Sequence, residues 1–268
     1  MEVITSRNND RIKEIVKLTA SASYRRQTGL FVAEGENAAT EVLLSGAVVR
    51  IVLFTKNAAE KYSNTIKKIS EKAQIVYEIS GEVCQKISET STPQGLFCVC
   101  EVIDNPVTID TIDNNGRVIL LENIQDPGNL GTILRTALAF SMDAVVIAGG
   151  CDIYSPKVIR ATAGTVFKTP FCIVDNAVEA VSALKNRGIS TYASVPARGN
   201  TLYLGRVPLS GGCAVVIGNE GAGITAEVMQ ACDSLLTIPM SENAESLNAA
   251  VAASVIMWEM SKDGERIQ

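Results

Sequence analysis

Two stretches of this 268-residue chain hold side chains whose types and spacing could do chemistry. In the first, Asp126-Pro127-Gly128 forces a turn after an apolar strand, Asn129 is a good N-cap, and Leu130 to Phe140 has helical spacing. Arg135 projects beside the apolar stripe Ile133, Leu134, Ala137 and Leu138. It is read one turn into a helix that follows a strand's C-terminal end, where open α/β sheets bind ligands; a surface arginine paired with a carboxylate is the plainer alternative. In the second stretch, Gly218, Gly221 and Gly223 frame Asn219 and Glu220. Glycines there permit positive φ and let a ligand come close to backbone, although a turn without a ligand satisfies the same pattern. The order G-x-x-G-x-G matches neither the dinucleotide fingerprint nor the phosphate loop, and no other segment supplies either. Histidine is absent altogether. Imidazole triads, His metal sites and imidazole acid–base chemistry are therefore excluded, leaving Arg, Lys, carboxylates, hydroxyls or positioning alone.

A third stretch must hold the other two in place. Leu235 to Ile238 reads as a strand that breaks at Pro239, Ser241 to Ser246 as a polar loop, and Leu247 onward as a helix ending near Gly264. Ser246 or Asn248 caps that helix. Ala249, Ala250, Ala252 and Ala253 cover most faces of its first turns, which lets another backbone approach, while a buried terminal helix is the bland reading. Strands and helices alternate along the whole chain, which argues for α/β architecture with crossover connections. Residues 1–103 form one α/β unit with the character of a binding module. Residues 104–116, polar and ending in Asn-Asn-Gly, read as a linker, and 117–268 as the second domain.

The N-terminus is charged within a few residues and the most apolar stretch is too short to span a bilayer, so a soluble cytoplasmic protein is expected. Seven cysteines at 84, 98, 100, 151, 172, 213 and 232 include no C-x-x-C pair and read as buried free thiols, with no metal site. The net charge is −5, but residues 1–100 carry 13 basic against 11 acidic side chains and 101–268 carry 11 against 18. Arg7, Arg11, Lys13, Lys17, Arg25 and Arg26 cluster in the first thirty residues, a candidate contact for phosphates. A solvated amphipathic helix packing Ile12, Ile15, Val16 and Leu18 inward fits equally well.

Taken together and in order, NIQDPGNLGTILRTA (123–137), VVIGNEGAGI (215–224) and IPMSENAESLNAAVAASVIMWE (238–259) resemble the SpoU (TrmH-like) family of RNA ribose 2′-O-methyltransferases in the SPOUT superfamily. TSRNNDRIKEIVKL and GLFVAEGENAATEVLLSG resemble that family's N-terminal substrate-binding domain, a ribosomal-protein-like RNA-binding fold. The resemblance implies a C-terminal α/β domain with a mostly parallel sheet and a deep trefoil knot, which composition and periodicity do not indicate. It implies S-adenosyl-L-methionine in the knot, held by Gly218, Ile238 and Leu247 with Asn219, Gly223, Pro239 and Met240, and with Thr191, Ala193 and Ser194 on the adenine side. Asn129, Arg135, Glu220, Ser246 and Asn248 are implied on the acceptor side; because a guanidinium stays protonated, Arg135 is assigned here to the phosphate beside the target ribose and not to the role of base, and Glu220 to orienting Arg135 or the loop. It further implies RNA contact by Arg7, Arg11, Lys13, Arg25 and Arg26, a substrate of ribosomal RNA of the large subunit, and homodimerisation through the Arg135 helix and the alanine-rich helix. A tRNA 2′-O-methyltransferase, a noncatalytic RNA-binding or ribosome-assembly factor on the same fold, and a nucleotide-binding dehydrogenase are the rivals. The missing phosphate fingerprints count against the last.

Overall fold

The computed structural model describes residues 2–103, 107–197, 199–209, 211–241, 243 and 246–262. Two compact units emerge: Met1–Asp104 with Asp152–Phe167, and Asn105–Cys151 with Lys168–Gln268. Among the described residues no helix is long and apolar enough to cross a membrane.

The first unit runs β1 (Glu2–Ile4), α1 (Asp10–Ala20), α2 (Ala22–Thr28), β2 (Leu30–Glu34), α3 (Glu36–Ser45), β3 (Val49–Phe54), α4 (Lys56–Lys61), α5 (Ser63–Lys72), β4 (Ile75–Ile79), α6 (Gly81–Ile87) and β5 (Leu96–Glu101). Its sheet has the order β1-β4-β3-β5-β2, with β1, β4 and β3 parallel and β5 antiparallel to both its neighbours. Asn9 caps α1 by accepting from the Arg11 amide, and Ile12, Ile15 and Leu18 lie buried on one face, which turns the charged residues outward. Residues 56–72 form two helices and not one, because Tyr62 (φ −117°, ψ 33°) leaves helical geometry between α4 and α5.

The second unit contains β6 (Arg117–Glu122), α7 (Pro127–Ala139) and β7 (Ala144–Ala148). After β7 the chain makes α8 (Pro156–Ala161), which belongs to the first unit, and returns as β8 (Phe171–Val174), α9 (Ala177–Asn186), β9 (Ser190–Ser194), β10 (Leu202–Tyr203), β11 (Cys213–Ile217), α10 (Ala226–Ala231), β12 (Ser234–Thr237) and α11 (Ala249–Ser261). The sheet order is β10-β12-β9-β11-β6-β7-β8, and every recorded pairing is parallel. Strands β6, β7 and β11 are buried throughout, as expected for parallel strands covered on both faces. β12 lies between β9 and β10, so the connection over residues 195–201 passes from one side of β12 to the other.

Residues 107–112 pack on this unit despite their linker-like composition. Ile112 is 4% exposed, Val107 and Ile109 rest on the core, and the Arg187 Nε donates to the Ile112 carbonyl at 2.8 Å. Five cysteines are buried and two half-buried, all free, and burial pushes the Cys98 thiol up to about 12. The expected helix end at Gly264 and part of the 241–246 loop lie outside the described residues.

Candidate functional site

The site grows from the C-terminal ends of β6, β11 and β12. After β6 the chain enters a left-handed residue, Asn123 (φ 57°), a conformation asparagine tolerates better than most side chains. Asp126 caps α7 by accepting from the Asn129 amide at 2.8 Å, and Pro127 takes the first helical position, where its missing N–H costs nothing. The cap is thus Asp126 and not Asn129. That difference matters, because it leaves the Asn129 side chain free for the loop opposite.

The loop opposite is residues 219–223. Asn219 and Gly223 exchange both backbone hydrogen bonds, at 3.1 and 2.9 Å, and the Asn219 Oδ1 accepts from the Gly221 and Ala222 amides. Gly223 sits at φ +72°, and a Cβ built on Gly218 would fall 2.4 Å from the Gly223 carbonyl carbon. Glycine at both positions is therefore a steric requirement of this turn.

Four hydrogen bonds join the two loops. Asn129 Nδ2 donates to Glu220 Oε1 at 2.9 Å, the amides of Gln125 and Asp126 donate to the same carboxylate at 3.0 Å each, and Asn219 Nδ2 donates to the Asn123 carbonyl at 2.9 Å. Partial burial alone would raise the Glu220 carboxyl, but the bonds from Asn129, Gln125, Asp126 and its own amide outweigh it, holding the pKa below the ordinary glutamate value. Asn248, the N-cap of α11, extends the chain by donating its Nδ2 to Asn129 Oδ1 at 3.0 Å. Glu220, Asn129 and Asn248 are thus one connected line across three separate segments.

That line borders a cavity of about 690 Å³. Ser194, Gly218, Asn219, Glu220, Gly223, Ile238, Met240, Ser246, Leu247 and Asn248 all line it. Thr191, Ala193 and Pro239 do not. Thr191 and Ala193 point into the sheet interior, and Thr191 is held by Asp233, to which its amide and hydroxyl both donate. The wall is supplied two to four residues after Ala193 by Val195, Pro196 and Ala197, together with Ile224 and Met229. Pro196 immediately after the strand was the available signal for the place where the chain leaves the sheet.

Arg135 stands apart. It is the ninth residue of α7, not one turn in, and lies six residues beyond Asn129, about 9 Å further along the helix axis. It does not line the cavity, and among the described residues nothing pairs with its exposed guanidinium. Glu220 is committed to the 125–129 loop and does not orient it. Arg135 shares its face of α7 with exposed Thr132 and Ala139. Neighbouring α11 packs on α7, with Thr136 and Ser254 hydroxyls 3.4 Å apart, and presents Val251, Val255 and Trp258 outward. Trp258 is 51% exposed and leans on Phe140.

In the first unit the basic cluster is sorted by burial. Arg25 is 4% exposed; its guanidinium pairs with Asp152 at 2.7 Å and donates to the Leu18 and Thr19 carbonyls, so it is structural and unavailable to RNA. Lys13 is paired with Asp10 at 2.7 Å, Arg11 lies over the Tyr77 ring, and Arg7 and Arg26 are exposed. Among the described residues no group of His, Cys, Asp or Glu could hold a metal ion.

A family model described as the SpoU rRNA Methylase family matches residues 116–258, and a model of an MRM3-like substrate binding domain matches residues 9–98. The chain is 32% identical over 261 residues, 97% of its own length and 99% of the relative's, to the 23S rRNA (guanosine(2553)-2′-O)-methyltransferase RlmP of Bacillus subtilis. Among solved structures it is similar to an RNA 2′-O ribose methyltransferase, at TM-score 0.80 and 28% identity over 96% of this chain and 97% of that one. It is also similar to the AdoMet-bound rRNA methyltransferase of Sinorhizobium meliloti, at TM-score 0.84 and 25% identity over 97% of each chain.

Proposed function

The chain belongs to the SpoU rRNA methylase family, and from that premise we propose that it transfers the methyl group of S-adenosyl-L-methionine to the ribose 2′-hydroxyl of a nucleotide in 23S rRNA, acting in the cytoplasm. The observation that carries this reading is the cavity behind Gly218, Ile238 and Leu247, edged by the Glu220–Asn129–Asn248 line. Its volume lies within the range of cofactor-sized pockets, and its mix of exposed loop backbone and apolar side chains suits a neutral adenine and an aliphatic sulfonium arm. Gly218 and its loop, Ile238, Met240 and Leu247 would hold the cofactor, with Val195 to Ala197 and Met229 closing the wall. The knot implied by the family is compatible with β12 lying between β9 and β10.

When bound, the cofactor supplies an electrophilic methyl on sulfur. The chain supplies position. Methyl transfer is an in-line displacement, so a pocket fixed before binding lowers the barrier by holding the reacting atoms aligned. Ser246 and Asn248, which line the cavity, would hydrogen-bond the acceptor ribose, with Asn129 beside them bonded to Asn248 and Glu220. Glu220, ionised at neutral pH, braces the rim. Arg135 binds the phosphate beside the target ribose and stabilises alkoxide charge as it develops; a guanidinium stays protonated, so the proton leaves through that phosphate or water.

Because Arg135 does not line the cavity of its own subunit, we place a second copy of the chain on the face formed by α7 and α11, where Arg135 of the partner subunit completes the site. The exposed Val251, Val255 and Trp258 support this. Light scattering should give a dimer at micromolar concentration, and a monomer contradicts it. A guanosine is the first target to examine, given the Bacillus relative.

The test is transfer from tritiated cofactor to an unmodified 23S rRNA transcript. The wild-type chain should label one ribose, and no labelling overturns the proposal. Arg135→Ala should lower kcat about 10²- to 10³-fold, as for loss of one donor to a developing oxyanion. Arg135→Lys should not restore it, because a point charge lacks the bidentate fork.

A further inference from the structure

We infer that the N-terminal unit carries its own binding site for a single unstacked nucleotide of the RNA substrate, in a second cavity of about 580 Å³ at the C-terminal ends of β1, β3 and β4. The inference rests on the RNA reading above and goes beyond it by naming the pocket and what enters it.

Three observations carry it. The first is the state of the polar side chains around the cavity. Lys56 and Asn57 follow β3, Glu78 lies on β4 and Gln85 on α6. Among the described residues none of the four has a hydrogen-bond or ion-pair partner, and Lys56 and Glu78 do not pair with each other. Gln94, from the loop before β5, spends only its Oε1, which accepts from the Glu36 amide at 3.0 Å, and keeps its amide donors. A set of two free amides and one half-free amide offers donors and acceptors side by side, which is what a base edge demands.

The second observation is the apolar wall. Val3 lines the same cavity while 56% exposed, and Pro93 lies on the loop side. Apolar Val3 and Pro93 beside an amide rim offer a base that has left its stack both an apolar contact and edge partners. Double-stranded RNA is read across a wide, shallow groove and does not enter a concavity, whereas unpaired bases are read on their edges.

The third is charge. One lysine suits one phosphate, and Glu78 suits an amino, imino or ribose hydroxyl donor. An acidic peptide would require more cations than Lys56, and among the described residues lining the cavity no aromatic side chain is present to anchor an apolar one. Of the basic residues of α1 and α2, Arg25 is buried, while Arg11, Lys13, Lys17 and Arg26 are exposed cations that suit phosphates and do not read a base edge, so they add to this pocket without replacing it.

The experiment uses the full chain and an in vitro 23S rRNA transcript as the probe. Asn57→Ala/Gln85→Ala should raise the KM for the transcript about tenfold, the order expected for one lost set of base-edge hydrogen bonds, with kcat and the Kd for S-adenosylmethionine unchanged. Lys56→Ala should weaken RNA binding and also flatten its salt dependence, whereas the double amide variant should leave that slope as in the wild type. Lys67→Ala/Lys68→Ala, two exposed cations of α5 outside the cavity, should change neither KM nor kcat. The replaced side chains are exposed, so an unaltered melting temperature separates lost binding from lost fold. Retention of RNA on filters reads the pocket without methyl transfer. If the wild type transfers no methyl, the catalytic reading fails while filter binding still decides this one. Unchanged RNA affinity in the amide and Lys56 variants overturns the pocket. A transcript carrying 4-thiouridine should crosslink to the peptide spanning residues 91–95, and crosslinks confined to other peptides also overturn it.

Discussion

The two cavities occupy equivalent places, each at the C-terminal ends of parallel strands, where open α/β sheets characteristically bind ligands. Their polar groups are in opposite states. Around the C-terminal cavity Glu220, Asn129, Asn219 and Asn248 bond to one another and to backbone before any ligand arrives. Around the N-terminal one the side chains of Lys56, Asn57, Glu78 and Gln85 have no partner among the described residues, while those of Thr55, Ser80 and Gln94 hold nearby backbone. The difference teaches what each must do. A methyl donor has one shape and one reacting atom, so its site is built in advance; RNA supplies its own donors and acceptors, so its site keeps side chains uncommitted until the substrate satisfies them.

The largest effect should come from the place where the N-terminal unit is itself committed. Arg25→Ala leaves Asp152 and two carbonyls without their donor, and breaking a buried pair costs about 3–5 kcal/mol. A melting curve should show a marked loss of stability; an unchanged curve would mean that Arg25 is as free as its exposed neighbours. Gly218→Ala attacks the other region. Its Cβ overlaps the Gly223 backbone, and overpacking of about 1–3 kcal/mol should weaken cofactor binding by about tenfold to a hundredfold, read by calorimetry. Equal binding would show that the loop is as adaptable as the N-terminal pocket. The smallest effect concerns pH. The folded pKa of Glu220 lies below its ordinary 4.5, so its brace is intact above that value and lost only as pH falls through the depressed one. Cofactor affinity should therefore be flat through neutrality in the wild type. Glu220→Gln should lower it at every neutral pH, because the amide nitrogen must face either the Gln125 amide or the Asp126 and Asn129 donors, and that side of the brace is lost.

Much of the second unit is legible in the sequence, because parallel strands buried on both faces read as unbroken apolar runs: Val118 to Leu121, Ala144 to Ala148 and Cys213 to Ile217 fall where the pattern puts them. The segment Asp152–Phe167 is not. Its place in the first unit depends on Arg25–Asp152 and on Phe31 against Tyr154 and Phe167, contacts between residues more than a hundred positions apart that no local periodicity encodes. The cavity residues with chain-direction signals, glycines and the residues flanking Pro239, could be read. Val195 to Ala197 could not be separated from Thr191 and Ala193, because the point at which the strand ends decides which of them borders the cavity. Arg25 and Arg26 look alike in sequence, and only the packing of α2 buries one and exposes the other.

The claim on which the account depends is that the cavity behind Gly218 presents a methyl donor to a ribose hydroxyl of 23S rRNA. A 2′-O-methyl group blocks alkaline cleavage at its own phosphodiester, so cleavage ladders of 23S rRNA from cells with and without this protein test it directly. The account predicts one protected position that disappears with the protein and does not return when the Arg135→Ala chain is supplied. Identical ladders from both cells would contradict it.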